Sequence, residues 1–167
     1  MSVNIYQPHV FLLPEDKANS DIANGFTLHP SFRLKSTQIM PVLGGWLKVL
    51  EAFSTVYRRR VENNPLTHVI MLIDFDTRPD RLDQFTSEIP EAIRDRVFVI
   101  GTNPEPEALV HATGHKKEEI GRMLADECFR GDKTLWSHEQ LVHNSSELAR
   151  MNTILKLICF STAGSRF

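Results

Sequence analysis

Cysteine is scarce in this chain: Cys128 and Cys159 are the two it has, far apart and at no metal-ligand spacing. That excludes a cysteine-built zinc module and a disulfide framework, and both sit in apolar helical patterns that mark reduced core thiols. No apolar run reaches the ~20 residues that a membrane-spanning helix needs. The N-terminus shows no basic stretch followed by an apolar core and a cleavage site, so the expectation is a cytoplasmic protein with no membrane partner. An excess of basic charge is missing too: 19 Lys and Arg against 21 Asp and Glu give a formal net charge of -2. This excludes a strongly basic nucleic-acid coat and leaves room for a local basic patch or a metal-mediated phosphate contact. No repeat, low-complexity segment or interdomain linker interrupts residues 1–167, so a single domain is expected.

What the chain does have is short apolar runs alternating with helical patterns. Val10-Phe-Leu-Leu13 reads as a buried strand closed by Pro14-Glu15-Asp16. Residues 17–24 carry helical spacing, with Asn24-Gly25 as the stop. Phe26 to Leu34 alternates loosely around Pro30 and is expected as an edge strand. A long helix is expected to open at Ser36 or Thr37, because Ile39, Val42, Leu43, Trp46, Val49, Leu50, Phe53 and Tyr57 recur at helical spacing. Arg58-Arg59-Arg60 near its end read as cations suited to a helix C-terminus, with phosphate contact as the alternative. His68 to Phe75 and Val97 to Ile100 are further buried strands, separated by a helix from about Asp80 to Asp95 that Pro90 interrupts. Helical segments follow at Ala108 to Ala112, around Ile120 to Cys128, and from about Ser137 to Phe160, before a polar tail from Ser161 to Phe167. Strands alternating with helices predict an α/β fold: a mainly parallel four-stranded sheet flanked by helices, its core about 3–112, with extra C-terminal helices about 115–160.

The chemistry is carried by acidic residues after strands. Asp74 and Asp76, at i and i+2, share one face of an extended chain. Glu15 with Asp16 follows the first strand, and Glu105 with Glu107 follows Val97 to Ile100. In a parallel sheet these strand ends lie on one edge, where open α/β sheets bind ligands. Carboxylates gathered there suit a hard divalent cation; the alternative is that each starts the next helix, where the helix dipole favours acids. Lys17 and Arg78 flank the acids and are candidates for neutralising a phosphate, or for salt bridges to their neighbours. His138 and His143 are spaced i,i+5 and do not share a helix face as a zinc pair does. His143-Asn144 is read as a nucleic-acid contact or a local helix cap.

A glutamate after the first strand, then Asp74-Phe-Asp76 after the third with a strand and a long helix between, resembles the Toprim domain family of topoisomerases, primases and OLD-like nucleases. Glu105-Pro-Glu-Ala-Leu109 resembles a further acidic element of the OLD-like branch. The likeness spans about residues 3–112 and rests on order and placement. The chain departs from topoisomerases and primases in lacking a glycine after the glutamate, where it has Asp16-Lys17. The resemblance implies a Mg²⁺- or Mn²⁺-dependent nuclease acting on DNA or RNA. Glu15 would be acid/base or ligand, Asp74 and Asp76 ligands, Glu105 and Glu107 ligands of a second ion, and Lys17 and Arg78 nucleic-acid contacts. It also implies a partner, either an ATPase of a phage-defence-type system or a second copy; the alternative is a non-catalytic Toprim-like interaction or regulatory subunit. Asp-x-Asp also resembles haloacid-dehalogenase phosphatases, but Arg78 stands where those carry Thr or Val.

Overall fold

The computed structural model describes residues 2–161. Its centre is a four-stranded, all-parallel sheet in the order β2-β1-β3-β4, with β1 His9–Pro14, β2 Thr37–Ile39, β3 Thr67–Asp74 and β4 Val97–Thr102. The α/β class and parallel sheet expected from the sequence are present. Strands β1 and β3 are buried almost throughout because both faces of the sheet are covered. Alternate residues divide between two cores. Val10, Leu12, Ile70 and Phe98 face one; Phe11, Leu13, Val69, Met71, Val97 and Val99 face the other.

The covering helices follow from the strand order. Between β1 and β2 the chain steps one way and α1 (Lys17–Thr27) covers the first face. From β2 to β3 it steps back past β1, and α2 (Trp46–Ala52) and α3 (Arg58–Asn63) cover the second face. The step from β3 to β4 keeps that direction, so α4 (Arg81–Ser87) and a 3₁₀ segment, Glu91–Arg96, share the second face. A right-handed crossover preference produces this division, and the reversal leaves a crevice at the carboxyl ends of β1 and β3. Helices α5 (Pro106–Thr113), α6 (Lys117–Arg130) and α7 (Ser145–Cys159) return over the first face.

Several elements differ from the sequence expectation. Gly25 does not stop α1, which runs on to Thr27. A Cβ at Gly25 would strike the Glu118 backbone, and one at Gly121 would strike the Ile22 carbonyl. Both glycines serve the close crossing of α1 and α6. Phe26 to Leu34 is not a strand. It holds the last turn of α1 and loop, and Phe32 makes one isolated bridge to Phe160. The long helix begins at Trp46, since Thr37–Ile39 joins β1 as β2, and Gly44 and Gly45 take φ of 86° and 142°. It continues through a π-helical segment, Phe53–Tyr57, into α3. The last helix starts at Ser145, after turns and a 3₁₀ segment at Val142–Asn144. The expected polar tail lies outside the described residues beyond Ser161. Neither cysteine is bonded, and burial pushes the Cys128 thiol up to about 12.

The free side of β4 is closed by side chains. The Gly101 N–H donates to Asn144 Oδ1 at 3.1 Å and Asn144 Nδ2 donates to the Gly101 carbonyl at 2.8 Å. The Val99 N–H donates to Glu147 Oε2 at 2.9 Å, and Arg150 Nη2 donates to the Val97 carbonyl at 3.0 Å. Residues 144, 147 and 150, three apart along α7 and its cap, thus stand in for a fifth strand and blunt the edge against pairing with another chain.

Candidate functional site

Strands β1 and β3 end side by side, and the acids that follow them meet. Beyond the last paired residue of β1, the Glu15 N–H still donates to the Leu72 carbonyl at 2.9 Å. Its side chain turns back over β3, where Oε2 accepts from the Asp74 N–H at 2.7 Å. Asp16 caps α1, accepting from the Asn19 N–H at 3.0 Å. Asn19 Nδ2 donates to both Asp16 Oδ1 and Asp74 Oδ1, at 3.0 and 2.9 Å, and so ties the helix start to the strand end. Asp16 is thus a helix cap, as the alternative reading had it, while Glu15 and Asp74 make no cap.

Asp76 is placed by a strained turn. Asp76 and Thr77 have φ of 50° and 58°, a conformation costly for a β-branched residue such as Thr77. Backbone bonds hold it: the Phe75 N–H to the Thr102 carbonyl, the Asp76 N–H to Pro104, both at 3.0 Å, and the Thr77 N–H to Asn103 Oδ1 at 2.9 Å. Arg81, the first residue of α4, donates from Nη1 to the Asp74 carbonyl at 2.8 Å and to Asp76 Oδ2 at 2.7 Å. Its guanidinium lies 4.5 Å from the Trp46 ring centroid, and its Nε is buried without a partner among the described residues.

The electrostatic result is an acidic site short of compensation. Burial pushes the Asp74 carboxyl up to about 7; Asn19 opposes this, while Asp16, Glu15 and Asp76 add to it. Burial also raises Glu15, against the hydrogen bond from Asp74 and with the charges of Asp16 and Asp76 adding to the rise. Like charges held together in a half-buried crevice resist joint ionisation unless a cation joins them.

The other candidate residues stand apart. Glu105 and Glu107 are exposed, and Glu107 pairs with Lys117 at 3.1 Å; neither is among the charges that raise Asp74. Lys17 pairs with Asp21 and Arg78 with Asp80, at 2.8 and 3.2 Å, both on the surface. Of the pair His143-Asn144, the asparagine serves the β4 edge. The His143 ring packs 4.6 Å from Phe75 with both nitrogens buried and unpartnered among the described residues, and burial lowers its pKa. Asn19, Arg81 and Trp46 were missed from sequence. Asn19 was findable, being one helical turn from Asp16; Arg81 and Trp46 meet only in three dimensions.

The donor set suits a hard divalent ion in kind. Glu15, Asp74 and Asp76 each have one oxygen held by a protein donor, and for the other no hydrogen-bond partner occurs among the described residues. It is not a closed ligand set: among those residues no three His, Cys, Asp or Glu side chains already converge on one ion position. No described helix is long and apolar enough to cross a membrane. The fold and site define a three-layer α/β protein with an acidic switch-point crevice. Comparison with family models, curated proteins and solved structures finds no match for this chain.

Proposed function

We propose that this protein is a Toprim-like, divalent-metal-dependent nuclease that cleaves DNA or RNA phosphodiesters. The observation that carries the reading is the junction of Glu15 and Asp74 at the ends of adjacent parallel strands, with the Asp74 carboxyl pushed up to about 7. Asp74 and Asp76 would hold Mg²⁺ or Mn²⁺, with Glu15 as a third ligand or as the base; Glu105 and Glu107 stand apart from this crevice, Glu107 being paired with Lys117. Bound there, the metal would supply an acidified water and neutralise charge on the phosphate. Asn19 orients Asp74, and Arg81 orients Asp76. Where Glu15 does not hold the ion, its one unengaged oxygen and raised pKa suit it to take the proton of an attacking water. Lys17 and Arg78 can exchange their weak, water-exposed pairs for a phosphate. On this reading the chain works in the cytoplasm with an ATPase partner, in a defence-type system, or as a homo-oligomer.

The test is a cleavage assay on plasmid, single-stranded DNA and RNA with Mg²⁺ or Mn²⁺. Glu15→Ala and Asp74→Ala are each expected to lower cleavage by on the order of 10²–10⁴. Activity that survives both substitutions would sink the mechanism. A second reading, a non-catalytic interaction or regulatory subunit, draws on Arg81, which already neutralises Asp76. Ion binding without cleavage, in the presence of the natural partner, would favour it.

A further inference from the structure

At the opposite, amino edge of the sheet lies a second pocket of about 540 Å³, within the size range of small-molecule sites. Ile5, Phe11, Val56, Arg59, Arg60 and Asn63 contribute to its wall, and no carboxylate does. Seven residue steps of β3, or about 23 Å at 3.3 Å each, separate Thr67 at this edge from Asp74.

Arg60 stands in the last turn of α3, where a cation was expected, but neither it nor Arg59 hydrogen-bonds that helix end among the described residues. Arg96 caps the end of α3 instead, its Nη1 donating to the carbonyls of Val61, Asn64 and Thr67 at 2.8, 2.9 and 3.3 Å. Arg58 is engaged by Glu62 at 2.9 Å. Arg59 and Arg60 make no salt bridge among the described residues. The guanidinium of Arg60 is instead held over two rings, 5.3 Å from the Phe11 centroid and 5.1 Å from that of Tyr57. That stacking fixes a cation at the wall without consuming its hydrogen bonds, which suits planar recognition of phosphate. Thr55 and Val56 of the wall belong to the π-helical segment, a rare insertion that tends to accompany functional sites.

We propose that this pocket binds a phosphate-bearing small molecule of the nucleotide class. Its phosphates would meet Arg59 and Arg60 and its ring system the apolar wall of Ile5 and Val56. The site is independent of the acidic crevice and does not rest on the nuclease reading.

Binding is measured by titration calorimetry on the full chain, with EDTA present, using ATP, tripolyphosphate and adenosine as probes. ATP is expected to bind, tripolyphosphate to bind more weakly, and adenosine to bind least. Arg59→Gln should weaken ATP by about tenfold or more. Its circular dichroism should match wild type, because Arg59 is exposed. Arg60→Lys, which keeps charge but loses the planar stack, should weaken it as well. Asp74→Asn should leave ATP binding unchanged. Absence of binding by both ATP and tripolyphosphate overturns the proposal, as does adenosine matching ATP or Arg59→Gln binding as wild type does.

Discussion

The Glu15 carboxylate accepts a 2.7 Å hydrogen bond from the backbone N–H of Asp74, joining two acids that lie 59 positions apart in the chain. This contact closes the carboxyl end of the β1–β3 pair. It also fixes Glu15 beside Asp74, so the site's electrostatics belong to the pair together with Asp16 and Asp76. Four carboxyl groups are gathered there, and the Arg81 guanidinium opposes their charge at Glu15.

The first consequence is a dependence of stability on pH. Asp74 rises from 3.8 in an unfolded chain to about 7 in the folded one. A raised carboxyl binds its proton more tightly when folded, so its contribution favours the fold at low pH and is lost as pH climbs through that window. Glu15 shifts in the same direction. Wild type is expected to lose stability between about pH 4 and 7, by on the order of 2 kcal/mol from Asp74 once the 1.36 kcal/mol per pKa unit is discounted for water screening in a half-buried crevice. Asp74→Asn keeps an acceptor for Asn19 and removes the charge, so its urea-unfolding free energy should vary less over that range and exceed wild type at pH 7.5. Equal pH profiles for the two proteins would remove the buried-charge account.

Much of this site was legible in the sequence because its strands are. Continuous apolar runs announced β1, β3 and β4, the first two leading directly into acids, and the helical spacing around Ile120 announced α6. The failures share a physical cause. Thr37–Ile39 is only three residues and half-buried, so it has no apolar run, and Ile39 fell by chance into helical register with Val42, Leu43 and Trp46. Gly25 looked like a stop because a close helix crossing and a helix end favour the same residue. Asn144, Glu147 and Arg150 are polar at helical spacing, which reads as a solvent-facing stripe. They are directed at a strand edge that sequence does not display.

That edge contact carries the second prediction. Asn144→Ala removes both bonds to Gly101 and leaves its N–H and carbonyl without their partner. The cost should be about 2–3 kcal/mol in urea unfolding, the penalty for orphaned buried backbone groups. Amide exchange should quicken at Gly101 more than at Leu13 in the centre of the sheet. An exposed strand edge is also a template for another chain, so concentration-dependent association by light scattering should increase. A variant as stable and as monodisperse as wild type would show that water replaces the asparagine without loss.

Arg81 supports a third. Its side chain is 6% exposed, lies over Trp46, and donates to the Asp74 carbonyl and the Asp76 carboxylate. Arg81→Met keeps length and contact with the indole but withdraws both donations. Stability should fall by roughly 2–3 kcal/mol, the range for charge-assisted bonds. Because a positive charge also leaves the acid cluster, the Glu15 carboxyl should rise further, measurable by NMR titration of its side-chain carbon. A fall in stability with no change at Glu15 would assign Arg81 a packing role alone.

The metal reading gives the most discriminating measurement, because ions and protons compete for the same oxygens. At a free ion concentration near 100 times its dissociation constant, binding to the folded state alone adds about 2.7 kcal/mol. For a domain of this size that is a rise in Tm of roughly 5–10 °C. Mn²⁺ should produce such a rise in wild type at pH 7.5. The rise should shrink at pH 5.5, where Asp74, with its pKa at about 7, holds its proton. Glu15→Gln and Asp74→Asn should each abolish most of it, whereas Glu107→Gln should not, because Glu107 is exposed and paired with Lys117. A shift that persists in Glu15→Gln and Asp74→Asn but vanishes in Glu107→Gln would move the ion to the end of β4. No shift in wild type at either pH would leave the crevice an acidic site without a metal.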